Sequence, residues 1–418
     1  MISTENRLIC DDFYIDSDLS GFHPSEYESD SIRSQLPIIW HKAKDFCVYD
    51  ESGNKWIDLT SGIFAMNAGH SNPEINDAIK KQLDSDMVFS FLYPSTVRRQ
   101  LAQRLLDVSP SYFEKVVLLS TGSEATDMAY KLIKYWAKKN NKKYIVSFRG
   151  SYHGRVLSGD LLSGGENNSE WSGATDDSIV FLDFPYDAKQ GFDPSLLPPA
   201  DQIAAFFMET YQGWSAQFYP QKYMEDLYKF AKDNDCLVCF DEIQAGFYRM
   251  GEIYGYMTYG EQIEPDIVCL GKGISSSLPL SAVLSTKELI DGAQKIGGTH
   301  AGNPLCCAAG IANIDFLSND AFQVSLEEKI EVFESRMRKL EEYESVNYVN
   351  ARGMVGAIIL HQKEIANTVV VDCVRNGVMP VNTWSTSIKI GPPLTISISA
   401  IEEAFDVIER SIERAENG

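Results

Sequence analysis

The sequence predicts an α/β protein, with a large domain built on a mostly parallel sheet and a smaller α+β domain. Apolar segments that lack the alternation of a half-buried strand recur through the middle of the chain, and helical patterns stand between several of them. After about Phe316 the pattern changes to charged amphipathic helices around short strands. Strands that are apolar on both faces need cover on both sides, and helices supply that cover in a parallel α/β sheet.

The strands and helices are expected at definite places along the chain. Six apolar segments are expected to form strands of the large sheet: residues 115–119, 144–147, 178–182, 204–208, 237–240 and 266–270. Apolar residues at helical spacing predict helices at residues 74–83, 100–108, 124–138, 224–232, 326–342 and 400–413.

The first 35 residues or so form a separate region. They are acidic and aromatic, and Gly21 and Pro24 interrupt any helix, so we expect an arm or the edge of a lid. Segments 46–49 and 55–58 flank a turn with a glycine and predict a β-hairpin. The expected division is residues 1–60 as arm and hairpin packed with the small domain, 61–315 as the large domain and 316–418 as the small domain.

The composition disfavours several classes of protein. The 418 residues include 37 Lys and Arg against 59 Asp and Glu, a formal net charge of −22. This charge repels phosphate backbones and anionic lipids, and no basic block occurs, so neither nucleic acid nor membrane is an expected partner. No stretch approaches the ~18 apolar residues of a membrane-spanning helix, and no basic segment followed by an apolar one opens the chain. We expect a cytoplasmic protein.

The eight cysteines are too few for a disulfide scaffold. Cys236 and Cys239 have the spacing of half a zinc site, but they lie in an apolar strand pattern with no second pair nearby in sequence. Because structural zinc needs four ligands, we interpret these residues as reduced core thiols and expect no metal site.

A small polar turn follows the first expected strand of the large sheet. Residues 120–125, with the sequence Ser-Thr-Gly-Ser-Glu-Ala, separate this strand from a helix. Exposed backbone N–H groups and the positive end of the helix dipole make such a helix start an anion site suited to phosphate. An ordinary helix cap is the alternative if the segment is taken alone.

Two chemically active residues follow two later strands. Asp241 comes directly after the expected strand at 237–240, and Lys272 follows the strand at 266–270, 31 residues later and between two glycines. The carboxyl ends of parallel strands form the ligand-binding edge of an α/β sheet, so we expect both residues in one crevice. A solvated lysine is the usual alternative, and the flanking glycines disfavour it because they leave room around the amine.

A phosphate turn, a carboxylate and an amine together predict pyridoxal 5′-phosphate (PLP) as the cofactor. Backbone donors anchor the phosphate, the carboxylate keeps the pyridine nitrogen protonated, and the amine holds the aldehyde as a Schiff base.

On these residues the sequence resembles the class III PLP-dependent aminotransferases, the ornithine, acetylornithine and ω-amino acid group of fold type I. The resemblance runs from about Phe46 to the C-terminal helix, and its motifs occur in the family's order. The segments that carry it are residues 58–70, 120–125, 151–154, 209–213, 241–251, 271–273 and 298–304. It implies a fold type I large domain with a mostly parallel seven-stranded sheet that binds PLP, and a smaller α+β domain.

The resemblance also implies roles for individual residues. Lys272 is the Schiff-base lysine and Asp241 pairs with the pyridine nitrogen; both are the expected catalytic residues. The other expected cofactor-binding residues are Gly122 and Ser123 at the phosphate, Tyr152 stacked on the ring, Glu209, Gln244 at the 3-oxygen and Thr299. Thr299 reaches the phosphate of the neighbouring subunit, which implies a homodimer with shared active sites.

Departures from the family pattern bear on the substrate. Many members have Pro after the glutamate and a second Glu after Gln-Gly, where this chain has Thr210 and Trp214. Near the C-terminus many carry Arg in a segment like Ile-Arg-x-x-Pro-Pro-Leu, where this chain has Lys389. Lysine cannot form the planar bidentate fork of arginine with a carboxylate. We therefore expect Lys389 and Trp214 to contact the substrate, and a donor recognised by its amine and an apolar or extended body. A core position is the alternative for Trp214.

The expected reaction is ping-pong transamination from a primary amine, ω-amino acid or amino acid donor to a keto or aldehyde acceptor. A PLP-dependent decarboxylase or racemase of the same fold is one alternative, because the bond that breaks depends on loop geometry. A non-catalytic binding protein that keeps the fold is another, and the presence of Lys272 with Asp241 disfavours it.

Overall fold

The computed structural model describes residues 1–17, 19, 25–29, 36–164, 172–213, 215–294 and 296–417. The chain divides into two compact units. One consists of Pro73–Asn319, and the other combines Met1–Asn72 with Asp320–Gly418. The sequence-based boundaries followed residues 60 and 315, so the observed division lies later in the chain at both points.

The helices and strands of the described residues are as follows. The strands are β1 (Ile2–Ser3), β2 (Leu8–Ile9), β3 (Lys42–Lys44), β4 (Cys47–Tyr49), β5 (Lys55–Asp58), β6 (Lys115–Leu119), β7 (Tyr144–Phe148), β8 (Ile179–Leu182), β9 (Ile203–Glu209), β10 (Tyr211–Gln212), β11 (Gln217–Phe218), β12 (Leu237–Asp241), β13 (Ile267–Leu270), β14 (Ser281–Ser285), β15 (Val346–Arg352), β16 (Val355–Leu360), β17 (Val378–Met379), β18 (Val381–Asn382) and β19 (Ser387–Ile390). The helices are α1 (Ser61–Phe64), α2 (Pro73–Asp84), α3 (Thr96–Asp107), α4 (Gly122–Lys139), α5 (Leu157–Leu162), α6 (Gln221–Asp233), α7 (Lys287–Gly292), α8 (Pro304–Leu317), α9 (Asp320–Lys339), α10 (Lys363–Arg375) and α11 (Ile398–Asn417).

The Pro73–Asn319 unit is built on a seven-stranded sheet with the order β6-β14-β13-β12-β9-β7-β8. Strands β13, β12, β9, β7 and β8 run parallel to one another, and β14 is antiparallel to both of its neighbours. The sheet is therefore mostly parallel, as predicted. The six predicted strands are present within two residues of their expected bounds, and β14 is the seventh strand.

One part of the core of this unit lies between the sheet and α4. Leu132 and Ile133 on α4 are fully buried in one apolar cluster with Cys239 on β12 and Cys269 on β13. All eight cysteines are free, and the described residues contain no group of side chains that could hold a metal ion. Cys239 is thus a core thiol, as the apolar strand pattern predicted.

The second unit contains two further sheets. The predicted hairpin is present as β4 and β5, joined by β1, β2, β3 and β17 in one sheet. A four-stranded sheet has the order β15-β16-β19-β18, and α9, α10 and α11 belong to the same unit. The predicted N-terminal arm begins with β1 and β2, which pair with each other, and β2 also pairs with β5. Gly21 and Pro24 lie outside the described residues.

Residues 61–72 belong to this second unit, and several of their hydrogen bonds are made within it. The Ser61 hydroxyl donates to the Gly391 carbonyl, and the Leu394 N–H donates to the Asn67 carbonyl at 2.9 Å. His70 Nε2 lies 2.7 Å from Oδ2 of the buried Asp58 carboxylate. These contacts explain why the observed boundary follows residue 72 and not residue 60.

None of the helices that the structure describes combines the length and the apolar character needed to cross a membrane.

Candidate active site

A capped helix start forms the first part of the site. Thr121 caps α4: its hydroxyl accepts a hydrogen bond from the Glu124 N–H at 3.2 Å. The Glu124 carboxylate in turn accepts from the N–H groups of Thr121 at 3.0 Å and Ser120 at 2.8 Å. This reciprocal capping fixes the turn at the N-terminus of an 18-residue helix, where backbone N–H groups and the helix dipole favour an anion. Gly122 and Ser123 are the first two residues of this helix.

The turn that carries Lys272 packs directly on this helix start. A Cβ placed on Gly271 would lie 3.5 Å from the Gly122 Cα and 3.1 Å from the Ile243 Cγ2. A Cβ on Gly122 would lie 3.0 Å from the Ile243 Cδ1. The two glycines therefore allow the phosphate turn and the Lys272 turn to approach closely on either side of Ile243.

Two acidic residues end neighbouring strands at the same edge of the sheet. Asp241 at the end of β12 pairs in register with Glu209 at the end of β9, and on its other side with Cys269 on β13. Both carboxyl groups are buried, at 5% and 6% exposure. The parallel register thus places Asp241, Glu209 and the turn after β13 at one carboxyl edge, where α/β sheets bind ligands.

The Asp241 carboxylate is held by two groups. Its Oδ2 lies 2.8 Å from His153 Nδ1, and its Oδ1 accepts from the Ile243 N–H at 3.1 Å. The His153 ring is 1% exposed and meets Phe207 edge to face at 4.7 Å between centroids. Its Nε2 has no hydrogen-bond partner in the part of the chain that the structure describes. His153 therefore orients the Asp241 carboxylate.

Lys272 begins a short 3-10 turn, Lys272–Ile274, directly after β13. Its φ of 44° lies in the left-handed region, an uncommon conformation for a residue with a side chain. Burial lowers the pKa of the Lys272 amine, and the negative charges of Asp241 and Glu209 oppose that shift. A lysine whose pKa is lowered by burial is neutral more of the time, as a nucleophile or a proton acceptor must be.

Tyr152 and Gln244 lie next to these charged groups. The Tyr152 ring is 43% exposed, and its backbone N–H donates to the Glu209 carboxyl at 3.0 Å. The Gln244 Nε2 would lie 3.6 Å from a Cβ placed on Gly213, whose N–H donates to the same carboxyl of Glu209. The turns that carry Tyr152 and Gln244 therefore converge at Glu209.

Arg155 is a part of this region that sequence reasoning missed. Its guanidinium lies over the Tyr152 ring at 5.0 Å from the centroid, and its backbone N–H donates to the Ser123 hydroxyl at 3.3 Å. The side chain is 63% exposed, so an exposed cation stands beside the phosphate turn. The signal was available, because Arg155 directly follows the Ser-Tyr-His-Gly segment.

Thr299 lies in an exposed loop of the same unit. This loop and residues 89–95 line a cavity of about 620 Å³. The Asn303 side chain donates to the Val88 carbonyl at 2.9 Å, and the rings of Phe89 and His300 are 5.3 Å apart. The loop of Thr299 and the segment around Phe89 therefore form one surface.

The structure describes one of the two predicted substrate residues. Lys389 lies on β19 in the second unit, is 3% exposed, and places its Nζ 4.3 Å from the centroid of the Phe64 ring. A Cβ on Gly391 would overlap that ring, so the glycine makes room for Phe64. Trp214 lies outside the described residues.

The comparison with known families decides the class of protein. The model of the aminotransferase class-III family matches residues 29–412, nearly the whole chain. The chain belongs to the class III aminotransferase family. It is a PLP-dependent transaminase, and the decarboxylase, racemase and non-catalytic alternatives are not favoured.

Curated relatives of this aminotransferase are of similar length. It is 29% identical over 387 residues to the acetylornithine aminotransferase of Caldanaerobacter subterraneus subsp. tengcongensis, covering 90% of this chain and 95% of the relative. It is 29% identical over 384 residues to the ornithine aminotransferase of Brevibacillus brevis, covering 90% and 93%.

Solved structures share the fold of this aminotransferase. The ornithine aminotransferase of Toxoplasma gondii has a TM-score of 0.84 at 22% identity, covering 94% of this chain and 93% of that one. An S-selective transaminase from Arthrobacter sp. has a TM-score of 0.82 at 22% identity, covering 94% and 97%.

The residues at the sheet edge fit PLP. The capped start of α4 suits the phosphate, the buried Asp241 carboxylate suits a protonated pyridine nitrogen, and Lys272 supplies an amine of lowered pKa. The close approach of Gly122 and Gly271 keeps the anion site and the amine at neighbouring positions.

Proposed function

We propose that this aminotransferase moves an amino group from a primary amine, ω-amino acid or amino acid donor to a keto or aldehyde acceptor by a ping-pong mechanism. The observation that carries the proposal is that Asp241, Lys272 and the capped start of α4 meet at one edge of the sheet in the Pro73–Asn319 unit. In this proposal that unit is the cofactor-binding domain.

Each residue has a defined task in the proposal. Gly122 and Ser123 bind the phosphate through backbone N–H groups, Tyr152 stacks on the ring, and Gln244 contacts the 3-oxygen. Asp241, oriented by His153, keeps the pyridine nitrogen protonated. When bound, PLP supplies an aldehyde for covalent attachment and a ring that accepts electrons.

Lys272 moves the proton. Burial lowers the pKa of its amine and so favours the neutral form, which can accept a proton. With PLP bound, it would take the proton from the substrate carbon that bears nitrogen and return it to the cofactor carbon on the other side of that nitrogen. A positioned base of this kind contributes about 10²–10⁴-fold to a rate.

A panel of substrates tests the reaction class. Purified holoenzyme is incubated with glutamate, ornithine, 4-aminobutyrate, simple amines or amino sugars, each with a keto acid acceptor. Formation of the matching carbonyl product and amino acid in equal amounts supports the proposal. Release of carbon dioxide from an amino acid donor, without transfer of nitrogen to the acceptor, would contradict it.

We also propose that Lys389 contacts the substrate, and we predict that Lys389→Arg shifts preference towards donors with a carboxylate while impairing the native amine. A guanidinium binds a carboxylate through two parallel hydrogen bonds, whereas an ammonium binds as a compact, strongly hydrated charge. Steady-state kcat/KM over the donor panel measures the shift. A change of about tenfold in kcat/KM corresponds to about 1.4 kcal/mol of activation barrier.

Lys329→Arg is the matched control for this substitution. Lys329 is also a buried lysine of the second unit, but its Nζ donates to the Leu394 carbonyl at 3.0 Å. An unchanged donor preference in Lys389→Arg, or an equal change in Lys329→Arg, would contradict the proposal that Lys389 contacts the substrate.

We further propose a homodimer whose active sites are shared. Six large apolar or aromatic residues are exposed in one short segment, including Phe91 at 41%, Leu92 at 85% and Tyr93 at 78%. A contiguous exposed apolar surface of this kind is typical of a protein interface. Because the segment lines the same cavity as Thr299, a second copy that covers it would place Thr299 at the interface, and in this proposal Thr299 reaches the partner's phosphate from there.

Mixed dimers test this arrangement. We expect Thr299→Ala to weaken PLP binding and Lys272→Ala to prevent covalent attachment. If Thr299 serves the partner, a dimer of one Thr299→Ala and one Lys272→Ala subunit contains one intact site and recovers tight covalent PLP binding at half occupancy. If Thr299 serves its own subunit, no site is intact and no recovery occurs. An active monomer in light scattering would contradict the dimer itself.

A cytoplasmic location is part of the proposal. Its support is that all eight cysteines are free, as is usual for proteins kept in a reducing compartment.

A further inference from the structure

Glu209 is the second buried carboxyl group at the sheet edge that carries Asp241 and the Lys272 turn, and the proton movement described above does not use it. One of its oxygens accepts a hydrogen bond from the Tyr152 N–H at 3.0 Å, and the other accepts from the Gly213 N–H at 2.9 Å. Tyr152 follows β7 and Gly213 follows β10, so a single carboxyl group joins two separate turns.

Gly213 has little free space on the side that faces the Glu209 carboxyl group. A Cβ on Gly213 would collide with the Glu209 Oε2, so glycine leaves room for the carboxyl oxygen to meet the backbone N–H. The same position is 3.6 Å from the Gln244 Nε2. Glu209 therefore lies where the expected ring-stacking residue, Tyr152, and the expected 3-oxygen contact, Gln244, come together.

The charge of Glu209 is sensitive to pH near neutrality. Burial raises the pKa of Glu209 to about 7; His153 lowers it and Asp241 raises it further. The titratable groups that interact with it are His153, Asp241, Lys272, Tyr211 and Tyr219. Of these, Lys272 responds directly, because the negative charge of Glu209 raises the pKa of its amine against the effect of burial.

We infer that Glu209 is a positioning residue of the active site, and this inference rests on the proposed function. The carboxyl group of Glu209 holds the Tyr152 and Gly213 turns together, and its negative charge favours the protonated form of the Lys272 amine. Glu209 thus couples the placement of the cofactor contacts to the charge of the lysine that attaches the cofactor.

The test uses apoenzyme and measures how the rate of covalent PLP attachment depends on pH. Attachment needs a neutral Lys272 amine, so the rate rises with pH to a plateau. Glu209→Gln removes the negative charge, and we expect the rise to move to lower pH by about one unit, a tenfold change in amine protonation. Sodium borohydride reduction and peptide mapping confirm that the attached residue is Lys272.

Glu242→Gln is the matched control. Glu242 is fully buried and burial raises its pKa to about 7, but its carboxyl accepts from the Gly255 and Tyr256 N–H groups at 2.6 Å and 2.8 Å. We expect its pH profile to match the wild type. A Glu209→Gln profile that does not move, or an equal movement in Glu242→Gln, would overturn the inference.

Glu209→Asp separates the two roles of Glu209, which are to hold the two turns together and to supply a negative charge. It replaces Glu209→Gln in the test if that variant does not fold. The shorter carboxylate keeps the charge but cannot reach both turns, so we expect a nearly unchanged pH profile and faster amide hydrogen exchange in the peptides of Tyr152 and Gly213. Unchanged exchange, or a profile that moves as far as expected for Glu209→Gln, would contradict the inference. If wild-type enzyme forms no adduct at Lys272, the proposed function itself fails.

Discussion

Lys272→Ala protein should lose the covalent attachment of PLP and at least about 10²–10⁴-fold of its transamination rate. The substitution removes both the amine that holds the cofactor and the base that moves the substrate proton. Borohydride reduction followed by peptide mapping measures attachment, and single-turnover kinetics measure the rate.

Lys287→Ala is a suitable control for this substitution. Lys287 is an exposed lysine of the same unit that pairs with Asp291, so its removal should change neither attachment nor rate. A reduced adduct that maps to a lysine other than Lys272 would show that the assignment is wrong.

Asp241→Asn should slow proton abstraction by several powers of ten while PLP still binds in part. The amide keeps the shape of the side chain but cannot neutralise the charge of a protonated pyridine nitrogen, and each factor of ten is about 1.4 kcal/mol of barrier. The measurement is the rate of the amine half-reaction at saturating donor, together with the equilibrium binding of PLP.

Glu242→Gln again provides the comparison for this substitution. Glu242 is the next residue in the chain and is equally buried, but it bonds to the backbone of Gly255 and Tyr256. We expect a much smaller loss of rate from it. A half-reaction rate near that of the wild type in Asp241→Asn would exclude Asp241 as the partner of the pyridine nitrogen.

Much of the large unit could be predicted because its signals are local. Short continuous apolar segments such as β9 and β12 are typical of strands buried on both faces. The polar turn before α4 contains the Thr121 and Glu124 pair of a capping box. By contrast, β14 has only three apolar residues between two serines, and its pairing with β6 and β13 depends on residues distant in sequence.

Several contacts of the site could not be predicted because they join segments that are distant in sequence. The 2.8 Å contact of His153 with Asp241 joins residues 88 positions apart, and Glu209 reaches Tyr152 across 57 positions. The contact of Lys389 with Phe64 likewise depends on the space left by Gly391. Motifs identified these residue types, but no spacing rule indicates which of them meet in space.

The most direct test of the central claim is a half-reaction with wild-type holoenzyme and an amine donor in the absence of any acceptor. We expect one equivalent of carbonyl product per active site, conversion of the bound cofactor to its aminated form, and restoration of the original absorbance when a keto acid is added. Failure of every donor in the panel to convert the cofactor, while PLP remains attached at Lys272, would contradict transamination by this protein.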